Sequence, residues 1–166
     1  MRTALRLLTL GCLLTAPFTL TACAGFTPLY AQQGLTSSLS QIAIETPQTR
    51  TGYFLEQQLR NGLGGDAGKQ KPYTLTVDLK EQHYQVGYRV DDTSTRSELT
   101  DNVSFVLKNS SGKVLLTDSF TETVTYSTSA SPFTGIVSQQ DAQKRVATSA
   151  AQKIQTSLAL YFHDAK

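Results

Sequence analysis

Residues 73–80 read Tyr73-Thr74-Leu75-Thr76-Val77-Asp78-Leu79-Lys80, and the alternation in them is strict. Tyr73, Leu75, Val77 and Leu79 point one way, and Thr74, Thr76, Asp78 and Lys80 point the other. Side chains leave an extended backbone on alternate faces, so a period of two makes a strand with one buried and one wet side. Such a layer needs apolar cover over its greasy face. The fold therefore turns on what the flanking sequence can lay there.

Toward the C-terminus the alternation resumes at Tyr84, Val86, Tyr88 and Val90, and Gln82-His83 leaves room for a bulge or bend. Asp91-Asp92-Thr93-Ser94 reads as a turn. Leu99, Val103, Phe105 and Leu107 mark a further strand. Asn109-Ser110-Ser111-Gly112 follows as a hairpin turn, with glycine where positive φ is cheap. Val114, Leu116, Phe120 and Val124 mark the last strand. The Ser/Thr-rich, uncharged run from Tyr126 to Phe133 reads as a loop ended by Pro132. A long helix is expected over 139–162, where Ser138 and Asp141 form a capping box and Val137 a hydrophobic staple. Its buried stripe is Ala147, Ala150, Ala151, Ile154, Leu158 and Tyr161, with Arg145, Lys153 and Gln155 outside it. Alanines in that stripe allow close approach to a sheet.

Toward the N-terminus, a first strand is expected over 39–45, with Ile42 and Ile44 on one face and Pro47 closing it. A short helix over 51–61 carries Tyr53, Phe54, Leu55 and Leu59 on its apolar side. Thr49 or Thr51 caps it, and Gly62, Gly64 and Gly65 stop it. The order is β-α-β-β-β-α. The expected fold class is α+β: a two-layer sandwich in which a four-stranded mixed sheet carries two helices packed on one face.

The front of the chain is of another kind. Arg2 and Arg6 precede an apolar stretch from Leu7 to Ala16, and small residues lead into Leu20-Thr21-Ala22-Cys23. The expected organisation is a lipoprotein signal peptide over 1–22, a lipidated tether over 23–37 and a single domain over 38–166. Thr15, Pro17 and Thr19 break the apolar stretch, which is too short to span a bilayer. Removing 1–22 also removes Cys12, so Cys23 would be the lone thiol and no intrachain disulfide could form. Acylation of Cys23 anchors the chain to a membrane, and two or more acyl chains make the attachment stable. By resemblance to known lipoproteins, Ala24 rather than an acidic residue favours the outer membrane. Phe26, Leu29 and Tyr30 are too apolar for a plain leash; they suit the lipid interface or docking on a folded domain.

Charge and motifs narrow the function. The chain has 15 basic and 13 acidic side chains, and Arg2 and Arg6 account for the whole excess. There is no basic stripe of the kind that binds nucleic acid. The two histidines, His83 and His163, lie far apart in sequence. No H-x-x-x-H, C-x-x-C, G-x-S-x-G or phosphate-cradling loop occurs. Asp91-Asp92 lacks the series of oxygen ligands a cation needs. No catalytic residue, metal or cofactor is expected. Asp141 and Arg145 stand four apart on one helical face, as a surface ion pair or as a contact to a partner.

The run Cys23, Gly25, Phe26, Pro28, Leu29 and Tyr30, with Asp141-Ala142, Arg145, Ala150, Ile154 and Leu158 in the last helix, resembles a family. It is similar to the lipopolysaccharide-assembly lipoproteins of the outer membrane, the LptE family, in its alphaproteobacterial branch. Ala24 stands between Cys23 and Gly25, where the family more usually has them adjacent. The resemblance implies a non-enzymatic protein on the periplasmic face. It would plug and help assemble the large β-barrel that inserts lipopolysaccharide into the outer leaflet. It also makes lipopolysaccharide a possible ligand, and Phe26, Leu29, Tyr30, Asp141 and Arg145 candidates for partner contact. The glycolipid's phosphates and carboxylates call for Lys or Arg. Arg89 with Arg96, and Lys69 with Lys71, are the candidates; the loops at 62–72 and 127–135 are candidate contact regions. The alternatives are a general envelope lipoprotein for another outer-membrane or cell-wall partner, and a surface hydrolase, for which no nucleophile–base spacing is present.

Overall fold

The alternating stretch forms the second strand of a four-stranded mixed sheet. A computed structural model describes residues 35–64, 70–88, 90, 95–128 and 131–164. Its elements are α1 (Leu35–Ser40), β1 (Ile42–Glu45), α2 (Arg50–Leu63), β2 (Tyr73–Gln85), β3 (Arg96–Asn109), β4 (Val114–Ser127) and α3 (Pro132–Asp164). The strands lie in the order β1-β2-β3-β4. β1 runs parallel to β2, which requires a crossover, and α2 supplies it. β2, β3 and β4 form an antiparallel meander. The leader, the tether with Cys23, Phe26, Leu29 and Tyr30, and Lys69, Arg89 and the 91–94 turn lie outside the described residues.

The core lies between the sheet's inner face and the two long helices. Leu75 pairs with Leu107 and Leu107 with Leu116, so the apolar positions of the three strands form rows. Leu75, Leu99, Val103, Phe105 and Leu107 are fully buried there. Leu55, Leu59 and Leu63 of α2 stand at helical spacing and are buried, as are Ala147, Ala150, Ala151, Ile154 and Leu158 of α3. Each such Leu or Ile contributes about 1.5–3 kcal/mol relative to exposure. At the far end Tyr73 meets Phe162 edge-on, with ring centroids 5.2 Å apart.

Local chemistry sets the element ends. Thr49 caps α2: its side chain accepts from the Gly52 amide at 3.0 Å. Gly64 ends α2 at φ 66°, a left-handed position suited to glycine, and its N–H donates to the Arg60 carbonyl. Gly52 is required by crowding, because a Cβ there would run into the Pro47 carbonyl.

The structure corrects several expectations. Residues 35–40 are helical, where the tether's end and the first strand's start were expected; Leu39 is buried and Ser40 Oγ donates to the Ser37 carbonyl at 2.9 Å. β1 is therefore only Ile42–Glu45. β2 runs through Gln82-His83 without a bulge, in register with Thr100 and Leu99. Gly62 lies inside α2 rather than ending it. Tyr53 is exposed, so the apolar side of α2 is narrower than its aromatics suggest. β4 extends to Ser127, and α3 begins at Pro132, not at 139. Proline has no N–H to leave unpaired in a first turn, so it suits that position. Ser138 accordingly lies inside the helix and caps nothing.

Candidate functional site

The same alternation that builds the core carries polar groups into it. Past Leu79 the inward positions of β2 are Glu81 and His83; between Leu99 and Val103 of β3 comes Asp101; between Phe120 and Val124 of β4 comes Glu122. Glu81 is the register partner of Asp101, and Asp101 of Glu122. Three carboxyl side chains thus stand in one row across three strands, beneath the helices. Sequence reasoning missed this row because it followed residue type. The period of two, continued past each apolar run, marks all three positions.

The three groups are held differently. Glu81 accepts from the Thr51 hydroxyl of α2, from Gln143 Nε2 of α3 at 2.8 Å, and pairs with His83 Nε2 at 2.7 Å. Burial opposes its charge, but these hydrogen bonds and the neighbouring His83 outweigh burial and hold its carboxyl below the usual value. Glu122, only 8% exposed, accepts from Ser149 Oγ at 2.9 Å and forms an ion pair with Lys153. The Lys153 ammonium also lies 5.2 Å from the centroid of the Phe120 ring. Asp101, between them, is 0% exposed, and neither carboxyl oxygen has a hydrogen-bond partner. Burial, then the charge of Glu81, raises its pKa to about 6, against a smaller opposing pull from His83.

A second feature lies at one end of the sheet. Hydrogen bonds from Val86 N to Arg96 O (2.9 Å), Thr95 N to Gly87 O (2.8 Å) and Thr128 N to Thr95 O (3.1 Å) carry the ladders past the strands. Tyr88 and Val90 are exposed beyond the end of β2. α3 starts at this same end, and Phe133, Ile136 and Val137 are exposed on its first turns, before its first buried residue, Ala142. They stand at i, i+3 and i+4, so they share one helix face. Singly exposed apolar residues are ordinary; a grouping at one end marks a contact surface. The sequence reading places Phe133 in a loop and Val137 before the helix, so it does not put them on one helix face.

Of the four candidate cations the structure describes Arg96 and Lys71, one from each pair. Arg96 is exposed at the apolar end, whereas Lys71 precedes β2 at the opposite end. The strand between them spans roughly 40 Å at the usual rise per residue. Asp141 and Arg145 form an ion pair at 2.8 Å, and Arg145 Nη2 also donates to the Thr125 carbonyl at 3.3 Å, on β4. On the sheet's wet face, hydroxyls and amides bond to one another: Thr121 to Asn102 at 2.9 Å and Thr100 with Thr123 at 3.2 Å. A shallow hollow of about 340 Å³ opens there between Asp78, Lys80, Asn102 and Ser119. Among the described residues no group of three or more His, Cys, Asp or Glu could hold a metal ion. No described helix is long and apolar enough to cross a membrane.

Comparison with known proteins agrees with this architecture. The family model LptE, lipopolysaccharide-assembly, matches residues 39–158. A crystal structure of a Caulobacter crescentus lipoprotein is 34% identical, covering 80% of this chain and 98% of its own, with a TM-score of 0.70. A minor lipoprotein from Acinetobacter baumannii shares the fold at 17% identity, covering 72% and 90%, with a TM-score of 0.56. Rare lipoprotein B from Shewanella oneidensis shares it at 12% identity, covering 75% and 97%, with a TM-score of 0.58. No curated protein matches the chain. On the span of the family match and the likeness to the Caulobacter lipoprotein, the chain belongs to the LptE family, non-enzymatic lipoproteins of the periplasmic face of the outer membrane.

Proposed function

We propose that this protein plugs, and helps to assemble, the outer-membrane β-barrel that delivers lipopolysaccharide to the outer leaflet. The observation that carries the reading is the exposed apolar end, where Tyr88, Val90, Phe133, Ile136 and Val137 gather beyond a sheet whose wet face is hydroxyls and amides. A barrel lumen is polar. A Ser/Thr-rich face fits such a wall, and the apolar end supplies the anchor that a hydrated fit alone lacks. Acylation of Cys23 keeps the domain over 38–166 at the membrane, and Phe26, Leu29 and Tyr30 of the 23–37 tether are candidates for partner contact. The higher identity to the Caulobacter lipoprotein than to the other two supports the alphaproteobacterial branch. Arg89 and Arg96, which flank the 91–94 stretch in sequence, are the first candidates for glycolipid phosphates, and Lys69 and Lys71 the second.

The test is mild-detergent purification of the tagged, acylated protein, followed by identification of what accompanies it. A barrel of the lipopolysaccharide-transport type is expected, and a Phe133→Ser/Ile136→Ser variant should retain less of it. Recovery of a cell-wall component or another partner in its place would favour the general envelope lipoprotein. Titration with lipopolysaccharide, wild type against an Arg89→Ala/Arg96→Ala variant, tests the cation pair; equal affinity removes it.

A further inference from the structure

The buried row of Glu81, Asp101 and Glu122 has no part in the reading above. Its members are adjacent in register, so their carboxyl groups repel if all are charged. Two of the three are tied to helices. Thr51 of α2 and Gln143 of α3 donate to Glu81, and Ser149 and Lys153 of α3 serve Glu122. Asp101 in the middle is fully buried with two unpartnered oxygens, and Gln143 Oε1 is a third buried acceptor with no donor. A buried site with surplus acceptors needs one more proton. A carboxylic acid at Asp101 supplies it; a carboxylate adds a third charge.

We propose that this row is a proton-dependent clamp: with Asp101 protonated it holds the Gln143–Lys153 part of α3 on the sheet, and ionisation of Asp101 loosens that part. The groups facing Asp101 set the sense of the effect. From β2 come Glu81, which opposes its ionisation, and His83, which favours it when charged; from β4 comes Glu122, already matched by Lys153 of α3. From α2 the neighbour of the row is the uncharged Thr51. The raised pKa of Asp101 agrees with this geometry.

Hydrogen exchange of the acylated protein in detergent micelles, corrected for intrinsic rates, tests the clamp at pH 5 and pH 7.5. Protection of amides in the 143–153 stretch should fall about tenfold over that span. A carboxyl that titrates near 6 when closed and near its ordinary 3.8 when open gives that ratio. In Asp101→Asn, which can donate a hydrogen bond and carries no charge, protection should be the same at both pH values. Equal pH dependence in the two proteins overturns the proposal, as does protection of the 143–153 stretch no lower than that of β2 and β3 at pH 7.5, which would mean that α3 opens only with the whole domain. If the variant does not fold, carboxyl-carbon NMR of the unaltered protein decides: an Asp101 midpoint near 4 overturns the clamp, and one near 6 supports it.

Discussion

Replacing Lys153 by methionine isolates one electrostatic interaction in the fold. Methionine keeps an unbranched apolar stem over the Phe120 ring and removes only the ammonium. Glu122 then keeps the Ser149 hydroxyl at 2.9 Å and loses its counter-charge, while remaining 8% exposed beside Asp101. Breaking a fully buried ion pair costs about 3–5 kcal/mol. The lysine side chain here is 53% exposed, so solvent already screens the pair, and roughly half of that range applies. The lost contact with the Phe120 ring adds about 0.5–1 kcal/mol. The expected destabilisation is therefore about 2–3.5 kcal/mol, read by urea unfolding at pH 7. A double-mutant cycle with Glu122→Gln should return most of it as interaction energy. Lys144→Met, at an exposed position of the same helix, should change stability by less than about 0.5 kcal/mol. If Lys153→Met is as mild as Lys144→Met, Glu122 does not depend on its partner and the account of the row fails.

Thr49→Ala should destabilise the domain by about 1 kcal/mol, because the first turn of α2 loses its acceptor; Thr49→Ser should restore it in the same unfolding assay. The pH dependence of stability should divide by residue. Asp101 titrates near 6 folded and near 3.8 unfolded, so the protonated form is favoured by folding, and stability falls by about 3 kcal/mol as pH rises through that window. Glu81 runs the opposite way: its lowered pKa gives stability that is present at neutral pH and lost as pH falls through the folded value. Unfolding series from pH 3 to pH 7 should therefore show Asp101→Asn gaining on the wild type as pH rises, and Glu81→Gln closing its deficit as pH falls.

The sheet was legible because one face is buried: a single-residue slip would put Leu75, Val77, Leu99 and Phe105 into water, so pattern and register specify one another. The two long helices were legible from Leu55 and Leu59 and from the alanine stripe of α3. Their starts were harder. Pro132 serves equally to end a loop and to open a helix, and uncharged Ser/Thr sequence around it has no strong preference. α1 was hidden because six residues contain too few turns to show a period. The acid row escaped because alternation fixes where a side chain points, whereas residue type suggests where it prefers to be, and at Asp101 the two disagree. Phe133, Ile136 and Val137 show the converse: helical spacing gives a common face without saying whether another layer covers it.

The outer strand of the meander, β4, has fourteen residues, no proline and no lysine, and among the described residues no further strand pairs with its far side. Such a row of open amides and carbonyls invites a foreign strand to zip on. Two side chains interrupt the invitation. Asp118 accepts from the Ser119 amide at 2.8 Å, and Arg145 covers the Thr125 carbonyl. Each occupies a position that an incoming chain would need for continuous pairing. Together they leave only short open stretches along the rim, so a protein crowded at a membrane with identical copies is guarded against sticking to itself edge to edge.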